Sequence, residues 1–152
     1  FGIADVRITK DDNEELNVGI QFIDGKYIPT KILMYYEQIH ANQLEHDEKR
    51  EFCRTITINI LDFVYFSFKN FCKKIKIQCN ENFVKTEELE FNIIQLPNFK
   101  SDKLTKFEEK EQWVAYLKGD NQELIDKAKQ DNKYIKRLDE LLENYWKHEK
   151  ME

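Results

Sequence analysis

The first 23 residues constrain the fold most, because two short segments there alternate between apolar and polar side chains. Residues 3–9 and residues 16–23 each show the two-residue period of a β-strand, and the polar residues between them are typical of a turn. One acid, Asp5, lies in the first segment. In the second segment Gly19 and Gln21 share one face, opposite the apolar side chains. This pattern predicts a β-hairpin with one polar face.

The rest of the first hundred residues predicts an α/β fold. From Pro29 the apolar residues follow a helical spacing, which predicts a helix of about four turns over residues 29–44. Residues 55–61 alternate cleanly and are rich in β-branched side chains, so they predict a strand. A hairpin, a helix and a strand in this order indicate a central mixed sheet with a crossover helix. Three later segments are also predicted to be strands, namely residues 63–68, 73–79 and 88–96.

The last third of the chain is predicted to be helical, with an interruption at Gly119. Residues 1–118 are predicted to form the core, and residues 119–152 a helical extension that packs on it or extends from it. The last helix carries an apolar stripe, which is typical either of a core-facing surface or of a contact with a partner, including a second copy of this chain. The stripe consists of Tyr134, Ile135, Leu138, Leu141, Leu142 and Tyr145.

Composition narrows the function classes. The net charge of −5 makes the chain a poor non-specific binder of nucleic acid, so a DNA role must depend on local basic patches or on a bound metal ion. The candidates are Lys31 on the predicted helix and Lys69, Lys73, Lys74 and Lys76 around the middle strands, with Lys74 and Lys76 on one strand face. The alternative interpretation is that these are edge-strand lysines that discourage aggregation. The three cysteines and three histidines match no zinc spacing. The absence of a long apolar run and of a signal-peptide pattern predicts a cytoplasmic protein with no membrane partner.

The polar face of the hairpin is where metal-dependent chemistry could occur. Mg²⁺ is bound by oxygen ligands, usually one or two carboxylates, and an Asp on one strand with a Glu on the next would supply them. A Lys or Gln two residues after the Glu could orient the attacking water. Here Asp5 is the candidate first ligand, but Gly19 supplies no carboxylate. From spacing alone, Asp5 could equally be a structural acid, and Gly19 could mark a bulge or a close backbone approach.

Several segments, in order, resemble the PD-(D/E)XK nuclease family transposases, also called recombination-promoting nucleases. They are residues 1–7, 18–21, 31–36, 55–63, 89–97 and 113–118. The resemblance implies a restriction-endonuclease-like core with a central mixed sheet flanked by helices. It also implies cleavage of double-stranded DNA that depends on Mg²⁺ or Mn²⁺.

The resemblance assigns roles to individual residues. It implies that Asp5 and the Ile20 backbone carbonyl are metal ligands, and that Gln21 orients the attacking water. Lys31 and Tyr35 are implied to be phosphate or structural contacts behind the site. Gly19 stands where the family has its catalytic Glu, and Gln95 and Asn98 stand where it commonly has Glu and Lys.

The missing Glu predicts a metal-dependent DNA endonuclease whose cleavage is weak or absent. The replacement of the family's Glu by Gly19 also allows two alternative functions. One is a non-enzymatic homologue that pairs with another protein or with itself, and the other is a DNA-binding module without cleavage.

Overall fold

The computed structural model describes residues 3–9, 15–23, 25–46, 54–75 and 89–150. The chain divides into two compact units, Phe1–Gln95 and Leu96–Glu152. The first unit contains β1 (Ile3–Thr9), β2 (Glu15–Phe22), α1 (Ile28–His46), β3 (Arg54–Leu61), β4 (Cys72–Ile75) and β5 (Leu89–Gln95). The second contains two short 3₁₀ turns, Leu96–Asn98 and Ser101–Lys103, followed by α2 (Glu109–Lys118), α3 (Gln122–Asp131) and α4 (Lys133–Glu149). The division at residue 118 stays a prediction about domains.

A five-stranded mixed sheet with the order β1-β2-β3-β5-β4 forms the first unit. The predicted hairpin is present, because β1 and β2 pair antiparallel. β3 lies parallel to both β2 and β5, and β4 pairs antiparallel with β5. Parallel neighbours cannot be joined by a tight turn, so α1 serves as the crossover from β2 to β3. The predicted α/β fold with a mixed sheet and a helical C-terminal part is confirmed.

The core of this unit lies between α1 and one face of the sheet. Pro29 is in the first turn of α1, where its missing N–H leaves no hydrogen bond unmade. Ile28, Ile32 and Tyr36 repeat every fourth residue and are buried, so they form one apolar face of the helix. They belong to one buried cluster with Leu61 and Phe91, among others, and the Tyr36 and Phe91 rings are 5.2 Å apart.

The predicted strand at residues 63–68 is wrong, because the structure has no strand between β3 and β4. Phe63, Phe66 and Phe68 pack against the core from an irregular segment. The backbone there is satisfied by a side chain instead of a neighbouring strand. The Gln95 Oε1 accepts hydrogen bonds from the Tyr65 and Phe66 N–H groups at 2.9 and 2.7 Å, and its Nε2 donates to the Phe66 carbonyl at 3.1 Å.

Other sequence predictions agree in part with the structure. The strand predicted at 73–79 runs from Cys72 to Ile75, and residues 76–79 lie outside the described part of the chain. The helix predicted over residues 29–44 is α1, which runs from Ile28 to His46. Residues 10–14 of the predicted hairpin turn lie outside the described residues.

The second unit consists of three helices whose ends are defined by capping residues. Gly119 ends α2 with a φ of 72°, a left-handed conformation that favours glycine. Asn121 caps α3 by accepting from the Leu124 N–H. Asn132 caps α4 in the same way and also donates to the Gln112 side chain at 3.1 Å, so that α2 and the start of α4 are joined by a buried polar contact.

A second polar contact in this unit is centred on Asp139. The Asp139 carboxylate accepts a hydrogen bond from the Tyr116 hydroxyl at 2.9 Å and forms an ion pair with Lys129 at 3.0 Å. Burial, together with the hydrogen bond to Asp139, raises the pKa of Tyr116 to about 12. α2, α3 and α4 therefore each contribute one member to this group.

Candidate functional site

The hairpin brings the predicted site positions into register. Asp5 in β1 is paired directly with Gly19 in β2, and residues opposite each other in an antiparallel pair lie about 5 Å apart at Cα and share a face. Gln21 is two residues beyond Gly19, so it lies on the same face. The backbone thus has the arrangement that the Asp and Gly-x-Gln spacing predicts. The positions of the Asp5 carboxylate and the Gln21 amide lie outside the described part of the chain.

The central strand extends this polar row across the sheet. Thr57 of β3 is beside Gly19 in the register, and Asn59 is beside Gln21. Both side chains are fully buried. The Asn59 Nδ2 donates to the Thr57 Oγ1 at 3.1 Å and to the Asn92 carbonyl at 3.2 Å. A buried polar group needs such partners, because leaving it unpaired is expensive.

The site residues predicted from the sequence do not include Thr57 and Asn59, which complete this row. The signal was present, since a strand between two parallel neighbours is usually apolar at every position. Here Thr57 and Asn59 alternate with isoleucines inside such a strand. A polar alternation in a central strand therefore indicates a polar row inside the protein.

The crossover helix contributes Tyr35 to the same region. The buried Tyr35 hydroxyl donates to the Ile20 carbonyl at 3.4 Å, so the carbonyl predicted as a metal ligand already has a hydrogen-bond donor. Lys31 is one turn earlier on the same face of α1 and is half-buried. Tyr35 is thus a contact to a site strand, and the phosphate contacts predicted for Tyr35 and Lys31 stay predictions.

The part of the chain that the structure describes does not supply a full set of oxygen ligands for Mg²⁺. Nucleases of the PD-(D/E)XK class generally use divalent metals, and Mg²⁺ is usually held by one or two carboxylates together with water. Position 19 supplies no side-chain oxygen, and the Ile20 carbonyl accepts a long hydrogen bond from the Tyr35 hydroxyl at 3.4 Å. Within the described ranges, no group of three or more His, Cys, Asp or Glu side chains could hold a metal ion.

One lysine predicted to contact DNA, Lys74, belongs to a second polar group at the edge strand β4. The Lys74 Nζ is 2.9 Å from a Glu90 carboxylate oxygen, and Arg54 is 2.6 Å from the other oxygen. The Asn92 Nδ2 also donates to Glu90 at 3.0 Å. Lys74 is therefore paired inside the protein, which fits an edge-strand role, and its DNA contact stays a prediction. Lys76 lies outside the described residues.

The charge environment of Glu90 favours its ionised form. Burial alone would raise the pKa of this carboxyl, but hydrogen bonds from Asn92, Lys74 and Arg54 outweigh burial and lower the pKa to about 2. The ordinary value is 4.5. A carboxyl whose pKa is lower in the folded chain stabilises the fold above the unfolded-state value.

We expect Glu90→Gln to lower the free energy of unfolding by about 2 kcal/mol at neutral pH, because two cations lose their counter-ion. The stabilisation by Glu90 is fully present above pH 4.5 and disappears as the pH falls towards 2. Urea unfolding of both proteins at a series of pH values should therefore show a difference in the free energy of unfolding that shrinks on acidification.

Glu143→Gln is the matched control, since its pair with Lys147 is exposed and 3.9 Å long. That control should change stability by less than about 0.5 kcal/mol. A Glu90→Gln effect independent of pH would contradict the assigned charge group.

Together, the mixed sheet, the hairpin with Asp5 opposite position 19, and the crossover helix define a nuclease-like α/β core. The family model for PD-(D/E)XK nuclease family transposases matches residues 1–152, and the chain belongs to this family. This confirms the resemblance and supports a nuclease- or transposase-like function. No curated protein and no solved structure shows a significant match to the chain. Among the helices that the structure describes, none is long and apolar enough to cross a membrane.

Proposed function

We propose that this chain is a DNA endonuclease domain of the recombination-promoting nuclease type whose cleavage of phosphodiester bonds is impaired by Gly19. The single observation that supports this most strongly is the register of the hairpin, in which Asp5 lies directly opposite position 19. Family membership supplies the class of chemistry, and double-stranded DNA is the proposed substrate. The cytoplasmic location stays a prediction from the sequence.

The proposed division of roles follows the sheet. Asp5 retains the one carboxylate of the site, and Gln21 takes the position that would orient the attacking water. Gly19 supplies no second carboxylate, so the proposed Mg²⁺ or Mn²⁺ would be held weakly. The buried pair of Thr57 and Asn59 lies beside positions 19 and 21 and keeps this part of the sheet in one arrangement.

The test of this proposal is an assay for nicking of supercoiled plasmid with Mg²⁺ or Mn²⁺. The natural chain should show little or no nicking, and the Gly19→Glu variant should nick in a metal-dependent way. An inert variant that is folded by circular dichroism would overturn the site assignment.

A second candidate, a non-enzymatic interaction protein, is favoured by the surface of α4. Leu141, Leu142, Tyr145 and Trp146 are each at least 41 % exposed. Four large apolar side chains this close together on one helix are typical of a surface that another molecule covers. The occupant proposed for this candidate is a second copy of the chain.

If this candidate is correct, the natural chain should be a dimer by size-exclusion chromatography with light scattering. The double variant Leu142→Lys with Tyr145→Lys should then be a monomer, because two charges would be buried in the contact. Lys136→Ala, on an exposed polar position of the same helix, is the control and should leave the mass unchanged. A natural chain that stays monomeric over a concentration series excludes self-association.

A further inference from the structure

The segment between β3 and β4, residues 62–71, lies at the end of the sheet nearest to position 21 and is here called the aromatic loop. Asn59 is beside Gln21 in the register, and Phe22 is beside Ile60. The loop begins at Asp62, three residues after Asn59, which is about 10 Å along the strand direction. In open α/β sheets this edge, at the carboxyl ends of the parallel strands, is where ligands usually bind.

The aromatic loop is held in place by the protein. The fully buried Gln95 side chain makes three hydrogen bonds to the backbone of Tyr65 and Phe66. The N–H of Gln95 also donates to the Phe71 carbonyl at 2.8 Å. Three of the loop's phenylalanines pack on the core. A loop fixed in this way presents its remaining side chains at a set position, which lowers the entropy lost on binding.

Two large apolar side chains of this loop are left facing water. Val64 is 57 % exposed and Tyr65 is 49 % exposed, although their neighbours are packed against the core. The Tyr65 ring meets the Phe66 ring edge-to-face with centroids 4.9 Å apart, so its orientation is also restrained. The aromatic loop is thus divided into a part packed on the core and an exposed pair.

The charge around the exposed pair favours an anionic partner. Residues 62–73 contain two lysines, Lys69 and Lys73, against one acid, Asp62, in a chain whose net charge is −5. Both lysines are exposed, and within the described part of the chain neither forms an ion pair. Adjacent Lys74, by contrast, is paired with Glu90. Residues 62–73 therefore carry a small excess of positive charge in an acidic chain, which favours an anionic ligand such as phosphate.

We propose that the aromatic loop is a DNA-contacting element, with Val64 and Tyr65 packing into the minor groove of duplex DNA and Lys69 and Lys73 neutralising phosphates. Exposed apolar and aromatic side chains that enter the minor groove are a common mode of DNA contact, and lysines next to them fix the position of the duplex. The inference rests on the proposed function, because it takes DNA as the substrate.

The test is the fluorescence anisotropy of a labelled duplex titrated with the natural chain and its variants at several salt concentrations. Tyr65→Ala should weaken binding by about tenfold, without changing the dependence on salt. Lys69→Gln and Lys73→Gln should each lower the slope of log K against log salt concentration by about one. Tyr134→Ala is the matched control, since Tyr134 is an exposed tyrosine in the second unit and should not matter. Because the substituted side chains are exposed, melting temperatures should stay unchanged.

Three results would overturn the inference. The first is that the natural chain does not bind the duplex at low salt, and the second is that it binds the duplex no more tightly than Tyr65→Ala does. The third is that, in a parallel titration of single-stranded DNA, Tyr65→Ala weakens only the binding of the single strand. Tyr65-dependent duplex binding together with an inert Gly19→Glu variant would overturn the nuclease proposal alone. Metal-dependent nicking by Gly19→Glu with duplex binding insensitive to Tyr65→Ala would overturn the loop proposal alone.

Discussion

Gly19→Glu should raise the rate of metal-dependent nicking of duplex DNA by about 10²–10³-fold over the natural chain. The variant places a carboxylate directly opposite Asp5 in the β1–β2 pair. Mg²⁺ is usually held by one or two carboxylates together with water. The paired positions 5 and 19 offer one carboxylate in the natural chain and would offer two in the variant. The comparison is made as initial rates on supercoiled plasmid with Mg²⁺, with Mn²⁺ and with chelator.

Two control variants separate a restored site from a general effect. Gly19→Gln has nearly the same size as the glutamate but no charge, so it should give no gain. Asp5→Asn in the Gly19→Glu background should remove the gain, because only one carboxylate remains. Cleavage that survives Asp5→Asn would come from some other site, and it would contradict the pairing of Asp5 with position 19.

The largest effect on stability is expected for Gln95→Met, at about 3 kcal/mol. This substitution keeps the volume but leaves two N–H groups and one carbonyl of the aromatic loop without their partner. Each buried polar group left unpaired costs about 1–3 kcal/mol, and the loop can recover part of this by admitting water. Urea unfolding at neutral pH measures the difference. Gln122→Met is the control, because the hydrogen bond of Gln122 to Asp126 is exposed and should be worth less than about 0.5 kcal/mol.

Gln95→Glu tests which of the three hydrogen bonds matter. A carboxylate can still accept from Tyr65 and Phe66, but it repels the Phe66 carbonyl that the natural amide binds at 3.1 Å. A protonated carboxyl can donate there again, so the folded state should raise the pKa of this new side chain. The deficit of Gln95→Glu should therefore be full at high pH and shrink as the pH falls through the raised pKa. Equal and pH-independent deficits for Gln95→Met and Gln95→Glu would contradict the donor role of Nε2.

The helices and strands that could be predicted from the sequence are those determined by residues close together in the chain. β3 follows from alternating β-branched residues between 55 and 61, and α1 follows from Pro29 with a four-residue apolar repeat. The aromatic run at 63–68 has the apolar content of a strand as well, but its backbone bonds to the Gln95 side chain, about thirty residues away in the chain. Local pattern carries no information about such a distant partner. For this reason the run was wrongly predicted to be a strand.

Part of the candidate site could likewise be predicted from local sequence, and part of it could not. The spacing of Asp5, Gly19 and Gln21 predicted a paired hairpin face, and the register of β1 and β2 has that form. Thr57 and Asn59 join it only through the parallel pairing of β2 with β3, which depends on the crossover helix. The low pKa of Glu90 likewise depends on partners from three strands, so no local pattern could have indicated it.

The buried polar residues of β3 also determine how the sheet can assemble. Thr55, Thr57 and Asn59 lie on the face beneath α1, and the isoleucines at 56 and 58 lie on the other face. If β3 slipped by one residue against its parallel neighbours, every one of these side chains would change faces. The hydroxyls and the amide would then lose their partners, so misaligned versions of the sheet are strongly disfavoured. These three buried polar residues therefore favour a single alignment of the strands, whatever residue occupies position 19.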